Sequence, residues 1–131
     1  MDIPDDFVRA AASFGGGIGL TKNTCGCISA GAMAVGLKYG TLEPTGTAPR
    51  QAYARTKAVL DRFRARFGTI DCRDLTAQWP DFADRERVYR CSELVDFTVE
   101  QLRDVFAAER QLPEWEEDWW TNYLTRRDKI K

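Results

Sequence analysis

Apolar residues recur at intervals of three and four along most of the chain, a spacing typical of amphipathic helices, and alternation typical of strands is nearly absent. The pattern predicts helices from Pro4 to about Phe14, from Cys25 to Tyr39, from Thr47 or Pro49 to Phe67, over Ile70–Leu75, from Asp84 to Gln111 and from Glu114 onward. We therefore expect an all-α fold, a compact bundle of about five helices, with a glycine-rich loop at Gly15–Gly19.

Residues at the ends of these segments agree with the assignment. Thr24 is placed to cap the second helix, and Gly40 is placed to be its C′ residue. Gly68 is expected to stop the third helix, and Pro113 separates the last two. The third helix has an apolar stripe at Tyr53, Leu60, Phe63 and Phe67, and the long helix has one at Val88, Cys91, Val95, Leu102 and Val105 or Phe106. This stripe predicts that Cys91 faces the core and is buried.

The chain has 131 residues, which fits a single helical domain over residues 1–131 that buries a core without disulfides. Its net charge is −1, and without a basic surface a nucleic-acid partner is not expected. No uncharged apolar run is long enough to cross a membrane, and the first residues lack a secretory signal pattern. We therefore expect a cytoplasmic protein, not membrane-spanning, with reduced thiols.

The four cysteines are the main candidates for chemistry, because the chain contains no histidine. Without histidine there is no Cys-His nucleophile pair and no mixed Cys/His metal site, whereas an all-cysteine site remains available. Cys25-Gly26-Cys27 lies at the start of the second helix, where unpaired N–H groups and the helix dipole favour a thiolate, and Lys22 would add to this effect. The alternative is that two small residues allow helices to pack closely.

Two glycine-containing features near this helix also have two interpretations. The loop with Gly15, Gly16, Gly17 and Gly19 either permits close backbone approach or wraps a cofactor or anion, although it lacks the dinucleotide and nucleotide motifs. The small residues Gly26, Ala30 and Ala34 follow at four-residue spacing. They would allow close helix contact, and they would also leave room for a cluster or a flat ligand.

The segment after Pro113 places Trp115, Trp119 and Tyr123 on one helical face. Core packing is one interpretation, and an interface is the other because Trp and Tyr are enriched in interfaces. Trp120 would favour the interface if it is exposed. On this basis we expect a homodimer or a larger assembly.

Several segments in sequence order resemble the C_GCAxxG_C_C family. They are Phe14-Gly-Gly-Gly-Ile-Gly19, Thr24-Cys-Gly-Cys-Ile-Ser-Ala-Gly31, Gly36-Leu-Lys-Tyr-Gly40, Phe67-Gly-Thr-Ile-Asp-Cys72-Arg-Asp-Leu75 and Cys91. The resemblance covers about Phe7 to Leu102. It implies a helical, redox-active protein, often linked to transporters, and it permits an iron–sulfur cluster, since a related domain of split-Soret cytochrome c occurs with one.

By position, Cys25 matches the cysteine of the family's Cys-Gly-Ala-x-x-Gly element, Cys72 matches the one after the Phe-Gly-Ser/Thr-Ile turn, and Cys91 matches the last. Two features depart from the family pattern. No cysteine precedes Cys25, and Cys27 stands where alanine is usual. Cys27 is therefore a fourth functional thiol, a resolving partner for Cys25 or a small core residue, and its place at a position where alanine is usual slightly favours the core role.

The sequence thus predicts a redox site in which the catalytic Cys25, Cys72 and Cys91 converge, with Cys72 approaching the start of the second helix. It would work by iron–sulfur electron transfer, with Cys25, Cys27, Cys72 and Cys91 as metal ligands, or by thiol–disulfide exchange without a cofactor. Its partner would be a redox protein or a transporter-linked protein. A rival hypothesis is a non-catalytic helical protein that binds a transporter or an enzyme through the Trp-rich C-terminal helix.

Overall fold

Five helices follow one another in the computed structural model, which describes residues 2–42 and 50–108 together with residues 126 and 129. They are α1 (Asp5–Ala11), α2 (Gly26–Tyr39), α3 (Arg50–Phe67), α4 (Cys72–Leu75) and α5 (Arg85–Ala107). A 3-10 turn at Ala12–Phe14 and a glycine turn at Gly15–Ile18 join α1 to α2. The all-α prediction is confirmed, since the described residues contain no strand and only one isolated β-bridge.

The long helices α2, α3 and α5 pack against one another and enclose two clusters of buried side chains. The first cluster lies between α3 and α5 and consists of Ala54, Ala58, Val59 and Val105. The second lies under the start of α2 and consists of Cys25, Ile28, Phe63, Leu75 and Leu94. Phe67 lies beside the second cluster, with its ring centroid 4.8 Å from that of Phe63. The second cluster therefore includes one of the candidate thiols in its packing.

The helix ends confirm most of the expected signals. Helix α2 ends at Tyr39, and helix α3 ends at Phe67, where Gly68 takes a φ of 85° that favours glycine. Gly40 follows α2 as expected but is extended, with a φ of −67°, so the expected left-handed C′ conformation is absent there. The Asp84 side chain caps α5 by accepting a hydrogen bond from the Glu86 N–H at 2.8 Å.

The apolar stripe predicted for α5 is wrong in part. Val88 and Val95 are exposed, and Cys91 is half-buried rather than buried. The side chains that α5 buries are Leu94, Thr98 and Val105, so the core face is rotated away from both valines. Thr98 can be buried because its hydroxyl donates a hydrogen bond to the Leu94 carbonyl at 2.8 Å, which leaves no unpaired donor. On α3, Tyr53 also departs from its predicted stripe and is exposed.

Three predicted features lie outside the described residues: the start of the third helix at Thr47 or Pro49, the end of the long helix near Gln111, and the C-terminal helix with Trp115, Trp119, Trp120 and Tyr123. The predicted dimer contact on that last helix lies outside them as well. Within the described part of the chain, no helix combines the length and the apolar character that crossing a membrane requires.

Candidate functional site

The glycine turn between α1 and α2 has a left-handed backbone. Its φ values are 64° at Gly16, 68° at Gly17 and 62° at Gly19, and Ile18 and Leu20 are also positive. The turn is held by backbone hydrogen bonds, including one from the Gly19 N–H to the Ser13 carbonyl at 2.9 Å. Because this conformation is costly for residues with a β-carbon, three glycines in the turn reduce its strain. The turn thereby directs the chain back toward the start of α2.

A pair of short extended segments brings Cys72 to the start of α2. The Cys25 N–H donates to the Ile70 carbonyl at 2.7 Å, and the Cys72 N–H donates to the Asn23 carbonyl at 2.7 Å. Between them, Thr24 and Asp71 form the isolated antiparallel bridge. The structure therefore places Cys72 beside the start of α2, as the sequence predicted.

Cys25 occupies the N-cap position of α2, with a φ of −54° and a ψ of 134° outside the helical region. Thr24, the expected cap, instead pairs with Asp71. The extended backbone at Cys25 allows its side chain to lie on the same side as that of Cys27, which a regular helix would point in a different direction. The two thiols form a hydrogen bond with each other.

This hydrogen bond makes the two thiols electrostatically unequal. Cys27 donates to Cys25 and lowers the pKa of the Cys25 thiol to about 7, although burial opposes the change. The N–H groups of Cys27 and Ile28 lower it further. The Cys25 thiol makes no regular cap hydrogen bond, so we attribute this smaller effect to nearby N–H dipoles. Cys25 therefore ionises near neutral pH.

The pKa values of Cys27 and Cys72 shift in the opposite direction. For Cys27, the hydrogen bond to Cys25 raises the thiol pKa first, burial raises it further, and Thr98 partly offsets both. Burial also raises the pKa of Cys72, while Thr76 and, more weakly, Lys22 lower it. Lys22 thus acts on Cys72, whereas the sequence suggested that it would act on Cys25. Both thiols stay protonated where Cys25 ionises.

Cys91 lies on α5 across from these three cysteines and is held by a neighbouring arginine. The Arg87 Nη1 donates to the Cys91 Sγ at 3.7 Å, and the Arg87 Nε donates to the Phe82 carbonyl at 2.6 Å. The Arg87 guanidinium also lies 3.7 Å from the centroid of the Phe82 ring. Arg87 thus contacts both Phe82, in the loop before α5, and the Cys91 thiol.

All four cysteines line one open cleft of about 440 Å³ between the glycine turn, α2 and α5. Gly15, Gly16 and Gly17 line the same cleft, whereas Gly19 is not among its lining residues. Gly26, Ala30 and Gly31 form the α2 side. Small residues on this helix therefore leave open space over the thiols. Ala34, the next residue of the predicted ridge, does not line the cleft.

The lining residues that the sequence did not single out include Phe82, Arg87, Leu94, Thr98 and Val99. Arg87 precedes Cys91 by one helical turn, and that i, i+4 spacing is a signal that could have identified it. Phe82 and Thr98 gave no such signal, because their positions depend on how the loop and α5 pack.

The donor set suits some metal cofactors better than others. Four thiols around one cleft are chemically suited to an iron–sulfur cluster, which distributes its cysteine ligands over several iron atoms. A single ion such as zinc requires its ligands to converge on one point. Among the described residues, no group of three or more Cys, Asp, Glu or His side chains meets that requirement.

Comparison with known proteins supports the redox interpretation at the level of the family. A family model described as "Putative redox-active protein (C_GCAxxG_C_C)" matches residues 1–105, which include all the cysteines. No curated protein sequence and no solved structure matches the chain.

Proposed function

The chain belongs to the C_GCAxxG_C_C family of redox-active proteins, and we propose that it acts by thiol–disulfide exchange, with Cys25 as the nucleophile and Cys27 as the resolving thiol. The observation that carries this proposal is that Cys25 and Cys27, two residues apart at the start of α2, both line the wall of one open cleft. The pair combines one thiol that ionises near neutral pH with a protonated neighbour in contact with it.

The reaction is a two-electron exchange between the protein dithiol and a disulfide. The Cys25 thiolate attacks one sulfur of the disulfide, forms a mixed disulfide and releases the other sulfur as a thiolate, which takes up a proton. The mixed disulfide removes the Cys25 thiolate interaction that raised the pKa of Cys27, and Cys27 then releases its proton to solvent and attacks the Cys25 sulfur. The Cys25–Cys27 disulfide forms, and the second substrate sulfur leaves and is protonated as a thiol.

The different pKa values of the two thiols suit this sequence of steps. Attack requires a thiolate, and the lowered pKa of Cys25 provides one at neutral pH. Resolution requires a thiol that is within reach but does not compete for the first attack, and the raised pKa of Cys27 meets that condition. A partner protein or a low-molecular-weight thiol would reduce the pair again, and the reducing cytoplasm is the compartment in which we place this cycle.

A second candidate function is iron–sulfur electron transfer, favoured by one observation: Cys25, Cys27, Cys72 and Cys91 line the same cleft. These side chains would hold the cluster, which would supply one-electron transfer when bound. Cys72 and Cys91 have no assigned step in the dithiol reaction, so this candidate is the one that uses all the thiols.

One set of measurements separates the two candidates. The protein is purified anaerobically, and its visible absorption, its iron content and the alkylation rate of each cysteine are measured. Thiol–disulfide exchange predicts a colourless, iron-free protein in which Cys25 is alkylated fastest at pH 7. Oxidation should then give a Cys25–Cys27 disulfide in the wild type and in Cys91→Ser, the control, but not in Cys27→Ser.

Other outcomes would overturn the proposal. Visible bands with stoichiometric iron that disappear in Cys72→Ser and in Cys91→Ser would establish the cluster instead. A colourless protein whose thiols are all inert toward alkylation and oxidation would leave no redox site at these residues. The rival hypothesis of a non-catalytic binding protein would then gain support.

A further inference from the structure

The cleft continues beyond the thiols as an apolar surface. Along α5 its wall runs from Cys91 through Val95 and Val99 to Leu102, and the residues before the glycine turn, including Phe14, form the opposite side. Val95 is 48% exposed and Val99 is 40% exposed. Exposed apolar side chains that line a concave surface beside reactive groups are characteristic of a binding site for a small molecule.

The cleft offers little to an anionic ligand. Among the described residues that line it, Arg87 is the only one with a permanently charged side chain, and Cys25 adds a negative charge where it ionises. The Arg87 guanidinium is already engaged with the Phe82 ring and the Cys91 sulfur. A carboxylate entering the cleft would lose its hydration, would find the Arg87 guanidinium already engaged and would be repelled by the Cys25 thiolate. The lining therefore selects against anionic ligands as well as favouring apolar ones.

We infer that the substrate is a low-molecular-weight disulfide with an uncharged, apolar body. This inference rests on the proposed thiol–disulfide exchange and adds the class of substrate. The apolar part of the molecule lies against Val95, Val99 and Leu102, and its S–S bond reaches Cys25, which lines the same cleft. A cleft of about 440 Å³ lies within the range that accommodates a small molecule.

The chemical step is the exchange already written for the dithiol. The Cys25–Cys27 pair loses two electrons and two protons as its disulfide forms. The S–S bond of the substrate takes up both electrons and both protons and becomes two thiols. A cyclic disulfide on an uncharged alkyl amide, such as lipoamide, has the required chemistry. Glutathione disulfide carries several charges and serves as the contrasting probe.

The test compares the two disulfides as oxidants of the fully reduced protein. Formation of the Cys25–Cys27 disulfide is followed by mass spectrometry, and each second-order rate constant is divided by that of dithiothreitol with the same disulfide. This division removes the intrinsic reactivity of each probe. We expect the normalised rate constant to be about tenfold higher for lipoamide than for glutathione disulfide.

Two matched variants on α5 test whether the cleft causes the preference for lipoamide over glutathione disulfide. Val99→Asn places an uncharged polar group in the cleft, whereas Val88→Asn changes a similarly exposed valine that is not among the lining residues. Neither substitution adds a charge, so the electrostatic environment of the thiols is preserved. Val99→Asn should lower the normalised lipoamide rate constant by about fivefold and change the glutathione disulfide rate constant less than twofold. Val88→Asn should leave both near their wild-type values.

The outcomes distinguish this inference from the proposed function. Equal normalised rate constants for the two disulfides would overturn the inference and leave thiol–disulfide exchange standing. A preference for lipoamide that Val99→Asn and Val88→Asn affect equally would also overturn it, because the cleft would not be the source. If neither probe forms the Cys25–Cys27 disulfide, both the proposed function and this inference fail.

Discussion

Gly17 packs directly on Cys72: a β-carbon added to Gly17 would lie 2.6 Å from the Cys72 β-carbon and 2.7 Å from the Asn23 backbone nitrogen. Both distances are shorter than van der Waals contact. The close approach occurs where the Cys72 N–H bonds to the Asn23 carbonyl, so the glycine turn and Cys72 form one packed unit. The position of Cys72 in the cleft thus depends on the absence of a side chain at Gly17.

Gly17→Ala is therefore expected to displace Cys72 and to destabilise the fold, and Gly19→Ala provides the control. Both residues have left-handed φ values, but an added β-carbon at Gly19 meets nothing within 4 Å. We expect Gly19→Ala to lower the free energy of unfolding by about 1 kcal/mol from backbone strain alone. Gly17→Ala should lower it by about 3 kcal/mol, because the clash adds to the strain.

Urea unfolding measures both values, and alkylation of Cys72 should be faster only in Gly17→Ala. Equal losses of stability in the two variants would show that Cys72 moves away from the added β-carbon without lowering the free energy of unfolding.

The helices of this fold could be predicted where their signals are local. The ends of α2 and α3 depend on the residues next to them, so Tyr39 with Gly40 and Phe67 with Gly68 marked the boundaries correctly. Which face of α5 is buried could not be predicted in the same way. Val88 and Val95 are apolar but exposed, and Thr98 is polar but buried. Side-chain polarity alone therefore misassigned these positions. Val95 is apolar but lines the open cleft, and Thr98 is polar but satisfies its hydroxyl by bonding to a carbonyl of its own helix.

The cysteines that line the cleft could be identified from the sequence, whereas their arrangement in it could not. The resemblance identified Cys25, Cys72 and Cys91 by position, and all three line the cleft together with Cys27. The pairing that holds Cys72 beside Cys25 links segments far apart in the chain, and no local pattern records such a contact. The hydrogen bond between Cys25 and Cys27 likewise depends on the extended backbone at the N-cap. Cys27 also packs against the core cluster, so the predicted packing role is compatible with the redox role that we propose for this residue.

Substitution of Arg55 tests the packing of the helix bundle. Arg55 is 4% exposed, its Nη1 donates to the Val105 carbonyl on α5, and its guanidinium lies 4.2 Å from the centroid of the Tyr39 ring on α2. We expect Arg55→Met to lower the free energy of unfolding by about 2 kcal/mol, because both contacts are lost and the carbonyl loses its donor.

The control for this prediction is Arg66→Met, on the same helix. Arg66 is exposed, with its guanidinium 5.2 Å from the Phe67 ring centroid, and its substitution should change the free energy of unfolding by less than about 0.5 kcal/mol. Urea denaturation of both variants measures the difference. If Arg55→Met were as stable as the wild type, the cost of burying the guanidinium would equal what its contacts contribute.

The pKa of Cys25 predicts how stability depends on pH. In the folded protein this thiol ionises at about 7, whereas in the unfolded chain it returns to its ordinary value of about 8.5. Between these values the unfolded state binds more protons, so Cys25 contributes stability that increases with pH and is lost as the pH falls through 7. At higher pH, the raised pKa values of Cys27 and Cys72 act in the opposite direction.

We therefore expect the reduced protein to gain on the order of 1 kcal/mol in free energy of unfolding from Cys25 between pH 6.5 and 8. The gain is measured as the difference between the wild type and Cys25→Ser over that range, from urea unfolding under anaerobic reducing conditions. The difference reports mainly on Cys25, because Cys27, the thiol whose pKa depends on Cys25, stays mostly protonated in both proteins over that range. Parallel pH profiles for the two proteins would mean that the folded state does not favour the Cys25 thiolate.

The role of Cys27 is tested most directly by the pH dependence of Cys25 alkylation. In the wild type, the rate should reach half its maximum near pH 7, since the Cys27 hydrogen bond lowers the Cys25 pKa. Cys27→Ala removes the donor, so the midpoint should move to higher pH and the rate at pH 7 should fall by roughly fivefold. Cys27→Ser keeps a hydroxyl donor at the same position and should retain most of the wild-type rate.

Iodoacetamide labelling with peptide mass spectrometry resolves Cys25 from Cys72, whose raised pKa makes it a slowly reacting internal reference at this pH. If Cys27→Ala and the wild type had the same midpoint, the lowered pKa would have to come from the N–H groups at the start of α2, and Cys27 would have no part in activating Cys25.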